Sequence, residues 1–545
     1  MHEEQQAEVC EVCDVVVVGG GLSGLCAARR LKERNEKLRV LVLEAKGRVG
    51  GRTLTLSLPA SNGLDSWDLG GQWVGRSQTH VMDLIQELGL EVYPQFTKGK
   101  KVHHLGGADT KISTYTSSIP SFSPLVLLDF MQFLWRLERL CKSVCLEDPM
   151  KTPDALQLDS MTLQSYMDKH IWSAQIMKEL KLCSRSVFGM EPSQLSFLYF
   201  LMYSAAAGGV MRLLESTPGS AQEFKVKGGT QQLSERVAEQ LGKENVRLGS
   251  AVTAIWQSED NVEVKTDTST ITCKAVIVTC PPHMAAQIEY QPALPLERRR
   301  LAQCMPVGHM TKFIITYPTA FWKQKGFSGE IVAHPSLHCP FSVTFDATSP
   351  SGSPALVGFI AGVQNCYWNS RETEDRRDAV ISSLVKYLGP EAASYIHYQE
   401  KDWAKEEYNG GCPVNVMVPG MLTFYHPGLR KPCGRIHWGG TETATRWCGY
   451  LSGAVQSGQR AALEVLADVS PAVLSQQELQ EVRGNLTTAP SDLSKVWEKT
   501  AGSCSSSSLL VGLTIMAFTV GGAMLLIKPG LGKHLLGRVW PVIQK

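Results

Sequence analysis

CDVVVVGGGLSGLCAARRL, residues Cys13–Leu31, decides the fold. Asp14–Val18 contains four successive valines and reads as a buried strand. Gly19, Gly21 and Gly24 follow with the spacing G-x-G-x-x-G, and a helix is expected from Leu22 to about Glu33. The first glycine permits a tight turn, the second lets a pyrophosphate approach the backbone, and the third lets helix and strand pack closely. The helix N-terminus supplies unpaired N–H groups for the phosphates. A second strand, LRVLVLE, ends at Glu44, 20 residues past Gly24. That is where a carboxylate meets the ribose hydroxyls of a bound dinucleotide. The glycine motif alone is weak. Strand, glycines, helix, strand and acid in this order specify a nucleotide-binding unit.

The unit does not finish locally. FKVKGGTQQLSERVAEQLG reads as a glycine turn and an amphipathic helix, and successive strands follow up to AVIVTCPP. GRIHWGG, near the end of the chain, reads as a further strand and turn, with a long helix starting near Gly449. The fold class is therefore α/β: a discontinuous Rossmann-like domain in three pieces, 1–95, 225–299 and 396–465. An α+β substrate domain is inserted as 96–224, mostly helical, and 300–395, strands plus the helix of DRRDAVISSLVKYLG.

At 545 residues the chain exceeds one simple core. Its 43% hydrophobic and 19% charged residues are those of a globular protein, and a net charge of +2 gives no sign of nucleic-acid binding. The acidic, polar N-terminus does not read as a secretory signal, so the 15 cysteines are expected to be reduced thiols. Cys10 and Cys13 form a CxxC with no second pair, and no metal site is expected from them, from His309 or from His103-His104. Residues 466–508 are expected to be a linker. Leu509–Ile527 then carries no charge over 19 residues, enough as a helix to cross a bilayer core. The basic tail 528–545 follows, and the pattern predicts a C-terminal transmembrane tail anchor with the body facing the cytosol.

EEYNGGCPVNVMVPG, Glu406–Gly420, puts Cys412 on a tight glycine corner. The alternation Val414, Val416, Val418 predicts a short strand. A cysteine here is more often a packing residue than a reactive one.

Four stretches change that reading: CDVVVVGGGLSGL, LEAKGRVGGRT (Leu43–Thr53), DLGGQWVG (Asp68–Gly75) and GTETATRWCGYLSGAV (Gly440–Val455). Together they resemble the flavin-containing monoamine oxidases over nearly the whole chain. The resemblance implies FAD, bound by Gly19, Gly21, Gly24, Glu44, Arg52, Gly70, Gly71, Val252, Trp403, Glu442, Gly449, Tyr450 and Leu451. In this family a cysteine on a Ser-Gly-Gly-Cys-Tyr turn carries the flavin through an 8α-thioether, and Cys412 matches it on Asn409-Gly410-Gly411-Cys412-Pro413. Lys312, in VGHMTKF, matches a lysine that holds a water near the flavin, and with Tyr450 it is the expected catalytic pair. Leu213 and Leu214 fall where the family places gate residues, and Gln222 and Phe359 match cavity residues. One of two facing cage rings maps to Tyr450, whereas the other position is Pro413, which has no ring. The implied reaction is oxidation of a small amine to an imine, released as aldehyde and ammonia, with O2 reduced to hydrogen peroxide. The implied setting is the mitochondrial outer membrane, with a homodimer as the implied assembly. Pro413 keeps two alternatives open: a membrane-anchored flavoprotein with low or altered turnover, and another substrate such as a polyamine.

Overall fold

The computed structural model describes residues 10–105, 110–117 and 119–487. Val15–Val18 is buried throughout and lies at the centre of a five-stranded sheet. The strand order is Val246–Arg247, Val40–Leu43, Val15–Val18, Ala275–Val278, Ile436–Trp438, and every neighbour pairs in parallel. Parallel neighbours need long crossovers. One is the helix Leu22–Arg34, and the other neighbouring pairs join segments far apart in the chain, so the nucleotide fold is discontinuous as its motifs suggest. An antiparallel meander, Val252–Gln257, Val262–Thr266 and Thr270–Cys273, forms a second five-stranded sheet with Glu289–Gln291 and Cys10–Val12 at its edges.

Two glycines set how closely the first helix packs. A Cβ on Gly24 would lie 2.0 Å from the carbonyl oxygen of Gly19, and one on Gly458 would lie 2.1 Å from that of Ser23. Both contacts are with backbone, which cannot yield cheaply, so helix, strand and the long helix Leu451–Val469 meet only through glycine. Ser23 Oγ and Ser457 Oγ sit 3.1 Å apart across the same crossing.

A seven-stranded sheet completes the β structure around the site, in the order His397–Asp402, Met310–Thr316, Ala355–Ala361, Val343–Asp346, Phe327–Ala333, Lys100–His104, Ser113–Tyr115. Met310–Thr316 is buried along its full length. Phe313 and Ile315 pack under the helix Thr373–Leu388, and Ile314 packs with Trp67 and Leu69. Alternation along one strand thus turns Lys312 away from the helix-covered face. The helices Pro124–Ser143, Ala174–Phe188 and Phe197–Ala206 build a third core around Phe133, Phe188, Phe197 and Tyr199.

Several elements differ from expectation. The strand His397–Asp402 falls beyond 300–395, yet it is laddered onto Met310–Thr316 from Thr311↔Asp402 to Thr316↔His397. The piece 96–224, read as mostly helical, starts with two strands of that sheet, and Val363–Asn369 adds a helix to the second piece. The expected linker opens with ordered structure: Leu451–Val469 runs into it, and Gln476–Thr487 is a helix. That helix returns to the body through the Arg34–Glu478 ion pair and buried Val482. Val414–Val418 is not a strand. It makes one bridge, Val307↔Asn415, because Val416 N and Met417 O bond to two different segments, at Pro306 and Ser196. Leu509–Ile527 lies outside the described residues, and among the described residues no helix is long and apolar enough to cross a membrane.

Candidate active site

A cavity of about 870 Å³ runs from the glycine turn of the parallel sheet to the helical core. Of the residues singled out in the sequence, Gly19, Gly21, Glu44, Arg52, Gly70, Gly71, Leu213, Leu214, Gln222, Val252, Lys312, Phe359, Trp403, Cys412, Pro413, Gly449, Tyr450 and Leu451 all line it. Gly24 and Glu442 do not. Gly24 serves the helix packing described above. Glu442 stands behind the wall and acts through Arg52.

The glycine end has the form of an anion cradle. Gly21 caps the helix Leu22–Arg34 with no side chain of its own, and a Cβ there would meet nothing within 4 Å. The space over this N-terminus is open to a phosphate, which the helix dipole favours. Glu44 is buried, and its carboxylate takes N–H bonds from Gly20 at 2.6 Å and Lys46 at 2.9 Å. Gly71 is nearly as open: a Cβ on it would meet only Leu451, at 3.8 Å. This stretch suits a dinucleotide laid along backbone.

Lys312 lies deep in the wall, 2% exposed. Its Nζ donates to the carbonyl oxygen of Gly70 at 2.9 Å and to Gln72 Oε1 at 2.5 Å. The rings of Phe359 and Trp73 are 5.6 and 5.8 Å away. Burial pushes the amine down to about 7, against the pull of Asp68 toward the charged form. Asp68 is itself buried and held by Thr55 Oγ1 at 2.7 Å and by the Thr230 N–H at 2.9 Å. Trp403, also buried, donates Nε1–H to Leu69 O at 2.9 Å and completes this wall.

The Cys412 turn is held from three sides. Gly411 has φ +151, and a Cβ on it would lie 2.6 Å from Gly308 O, while Cys412 N–H donates to that same oxygen at 3.0 Å. The Cys412–Pro413 peptide is cis. Arg52 Nη1 donates to Pro413 O at 2.9 Å and, with Nη2, forks onto Glu442 at 2.6 and 3.0 Å. His283 Nε2 lies 2.8 Å from Asn409 O at the start of the turn. Burial pushes the Cys412 thiol up to about 12, although Arg52 and Lys312 favour its thiolate.

At the far end Tyr450 leans on Tyr203, ring centres 5.9 Å apart and tilted 44°, and on Trp447 at 5.1 Å, edge on. Gln222 Nε2 donates to Leu213 O at 3.2 Å and ties that segment down, leaving its Oε1 buried without a partner. Sequence reasoning missed Gln72, Trp73, Tyr203 and Glu215, all of which line the cavity. Gln72 and Trp73 belong to the stretch Asp68–Gly75, but their partner Lys312 is remote in sequence. Tyr203 sits on a helix that is buried all round, where no polar face singles it out.

These features fit the flavin dinucleotide that the motifs imply. An open backbone cradle meets the phosphates, an apolar aromatic wall meets a ring system, and Gln72 Nε2 is a buried donor with no partner. Residues 22–466 match the family model for flavin containing amine oxidoreductase. The chain is 37% identical to amine oxidase [flavin-containing] A of Canis lupus familiaris over 92% of this chain and 94% of that one. It is 38% identical to amine oxidase [flavin-containing] B of Bos taurus over 83% and 86%. Among solved structures, cyclohexylamine oxidase from Brevibacterium oxydans superposes with a TM-score of 0.78 at 30% identity, over 84% of this chain and 99% of that one. The chain therefore belongs to the flavin-containing amine oxidase family, as a member in which proline follows the cysteine of the Gly-Gly-Cys turn.

Proposed function

We propose that this flavin-dependent amine oxidase acts on primary monoamines and carries its FAD covalently on Cys412. The observation that carries the reading is convergence: the glycine cradle, Cys412, Lys312 and Tyr450 open into one cavity although they are spread over most of the chain. FAD, when bound, would supply the redox chemistry: the two electrons and hydrogen of the amine Cα–H, together with the proton that the nitrogen gives up on forming the imine, would reduce O2 to hydrogen peroxide. The chain's own residues do the rest. Gly19, Gly21, Glu44 and Val252 hold the nucleotide end, while Arg52, Gly70, Gly71, Trp403, Gly449 and Leu451 surround the ring end. The apolar cavity admits the amine in its neutral form, since burial disfavours an ammonium. Tyr450 presents an electron-rich face to the amine nitrogen, and Leu213, Leu214, Gln222 and Phe359 shape its approach. Lys312 manages hydrogen bonds at the reacting end. In this reading the nucleotide domain comprises 1–95, 225–299 and 396–465 apart from His397–Asp402, and the substrate domain comprises the two inserted pieces together with that strand. Leu509–Ile527 serves as a membrane anchor for a homodimer, and the mitochondrial outer membrane is the membrane we assign to it.

The test is anaerobic mixing of the purified flavoprotein with a panel of aryl-alkyl and alkyl monoamines, diamines and polyamines. Bleaching of the flavin band by monoamines, with peroxide formed on readmitting oxygen, is the expected result. Bleaching by polyamines alone would move the substrate class, and no bleaching by any amine would overturn the reading. Pro413→Tyr restores a ring opposite Tyr450. It is expected to raise kcat/KM for benzylamine-like substrates by roughly twofold to thirteenfold, the value of one aromatic contact of about 0.5–1.5 kcal/mol. An unchanged kcat/KM would mean that the cavity is built around proline.

A further inference from the structure

We propose that Gln72 is a positioning residue that orients Lys312 as a hydrogen-bond acceptor toward the cavity and offers a matching donor beside it. The inference rests on the amine-oxidase reading for its use, but not for its test.

Lys312 Nζ has two protein partners, Gly70 O and Gln72 Oε1, and both are pure acceptors. A neutral amine has two N–H groups and one lone pair. The two acceptors consume both N–H groups, so the lone pair is what remains for the cavity. An ammonium would instead leave a third N–H there and no acceptor. Burial favours the neutral form, because it pushes this amine down to about 7. The charged groups that face it are Asp68, which favours the ammonium, and Lys225, which disfavours it; Cys412 also faces it and is uncharged both as a buried thiol and as a thioether. The near end of the Gln72 amide must be its oxygen, since it receives a proton-bearing nitrogen. The far end is then Nε2. Gln72 is 5% exposed, lines the cavity, and its Nε2 is buried without a hydrogen-bond partner. A buried amide donor left unpaired is costly, so a guest that accepts from it is expected in the filled site. Side by side, Gln72 and Lys312 present one donor and one acceptor. A small hydroxylic guest satisfies both, accepting from Gln72 Nε2–H and donating to Lys312 Nζ.

The experiment follows the protonation of Lys312 through the absorbance of the bound, oxidised flavin between pH 6 and about 10, with Lys312→Met as the blank. The wild type is expected to titrate near neutrality. Gln72→Glu puts a carboxylate on the amine and should move that titration up by about two pH units. Gln72→Met removes an acceptor that favours the ammonium and should move it down. The downward shift in Gln72→Met is the signature, because a residue that merely filled space would leave the titration unmoved on that change, while Gln72→Glu confirms that position 72 is in contact with the amine. The pH profile of kcat/KM should follow the spectral shift. Should Gln72→Glu fail to fold, the downward shift in Gln72→Met still decides. A wild-type titration identical to that of Lys312→Met, or a shift under half a unit in Gln72→Met, would overturn the proposal. Failure of every amine to bleach the flavin would sink the function proposed above while leaving this titration readable.

Discussion

Arg52→Ala lowers the unfolding free energy at pH 7 by about 3–5 kcal/mol, the cost of leaving one member of a buried ion pair without its partner. The Glu442 side chain is 1% exposed, and its nearest cation is the forked Arg52 guanidinium. Its remaining bonds are weaker, the closest being the Asn415 N–H at 3.3 Å. Desolvation would raise this carboxyl, and Arg52 overcomes it, holding Glu442 below the ordinary carboxylate range. The sign of the pH dependence follows. A depressed carboxylate contributes stability that is complete above its unfolded value, about 4.3, and is lost as pH falls through the lower folded value. In Arg52→Ala the same carboxyl is buried and unpaired, so it is raised, and its penalty grows as pH rises. The gap between the two proteins should therefore narrow from pH 7 to pH 5. Urea midpoints read by tryptophan fluorescence at both pH values measure it. The double variant Arg52→Met/Glu442→Leu should recover most of the loss, because an apolar pair carries no stranded charge. A single-variant loss below about 1 kcal/mol would show that water reaches Glu442. Arg52→Ala also frees Pro413 O, so it loosens the turn that holds Cys412.

What is legible in the sequence is local. Val15–Val18, the three glycines and Glu44 lie within about 30 residues, and the glycines of the motif have steric reasons that hold in the fold. The candidate site residues come from the resemblance and its motifs, and all but Gly24 and Glu442 line the cavity. Long-range pairing is not legible. Lys100–His104 joins Phe327–Ala333, far later in the chain, and no local pattern announces that. The helix Gln476–Thr487 reads as linker because its sequence, QQELQEVRGNLT, is mostly polar. It is held by few contacts, with Leu479 and Val482 inward and Glu478 paired to Arg34, too thin a stripe to register as periodicity. Val414–Val418 fails the other way. Alternation predicts a strand, but Val414, Val416 and Met417 are all fully buried, so both faces are inside and period two carries no meaning. Gln72 lies in the stretch Asp68–Gly75 and is silent there, since its meaning depends on Lys312 arriving from another sheet.

Cys412→Ala is expected to convert a flavin that survives acid precipitation into one that washes away. The wild-type pellet, precipitated from detergent and washed, is expected to stay yellow, and the variant pellet is expected to be colourless although both proteins are yellow beforehand. Gly411 and Gly308 bring two backbones closer than any side chain allows, so the Cys412 sulfur is delivered to the cavity wall by geometry that alanine at 412 leaves intact. The variant thus keeps the cradle at Gly21 and the Lys312 wall, and noncovalent binding should persist. The thiol itself is unreactive while buried, being pushed up to about 12 by desolvation. Arg52, the permanently charged neighbour, is the first group that pulls it toward thiolate. Attachment should therefore slow when Arg52 is replaced, and the covalent fraction should fall in Arg52→Ala before it does in any variant of the gate. Colour that washes from the wild type would make Cys412 a packing residue on a glycine corner, and the protein a noncovalent flavoprotein. Colour that stays with Cys412→Ala would place the linkage on another side chain of the same wall.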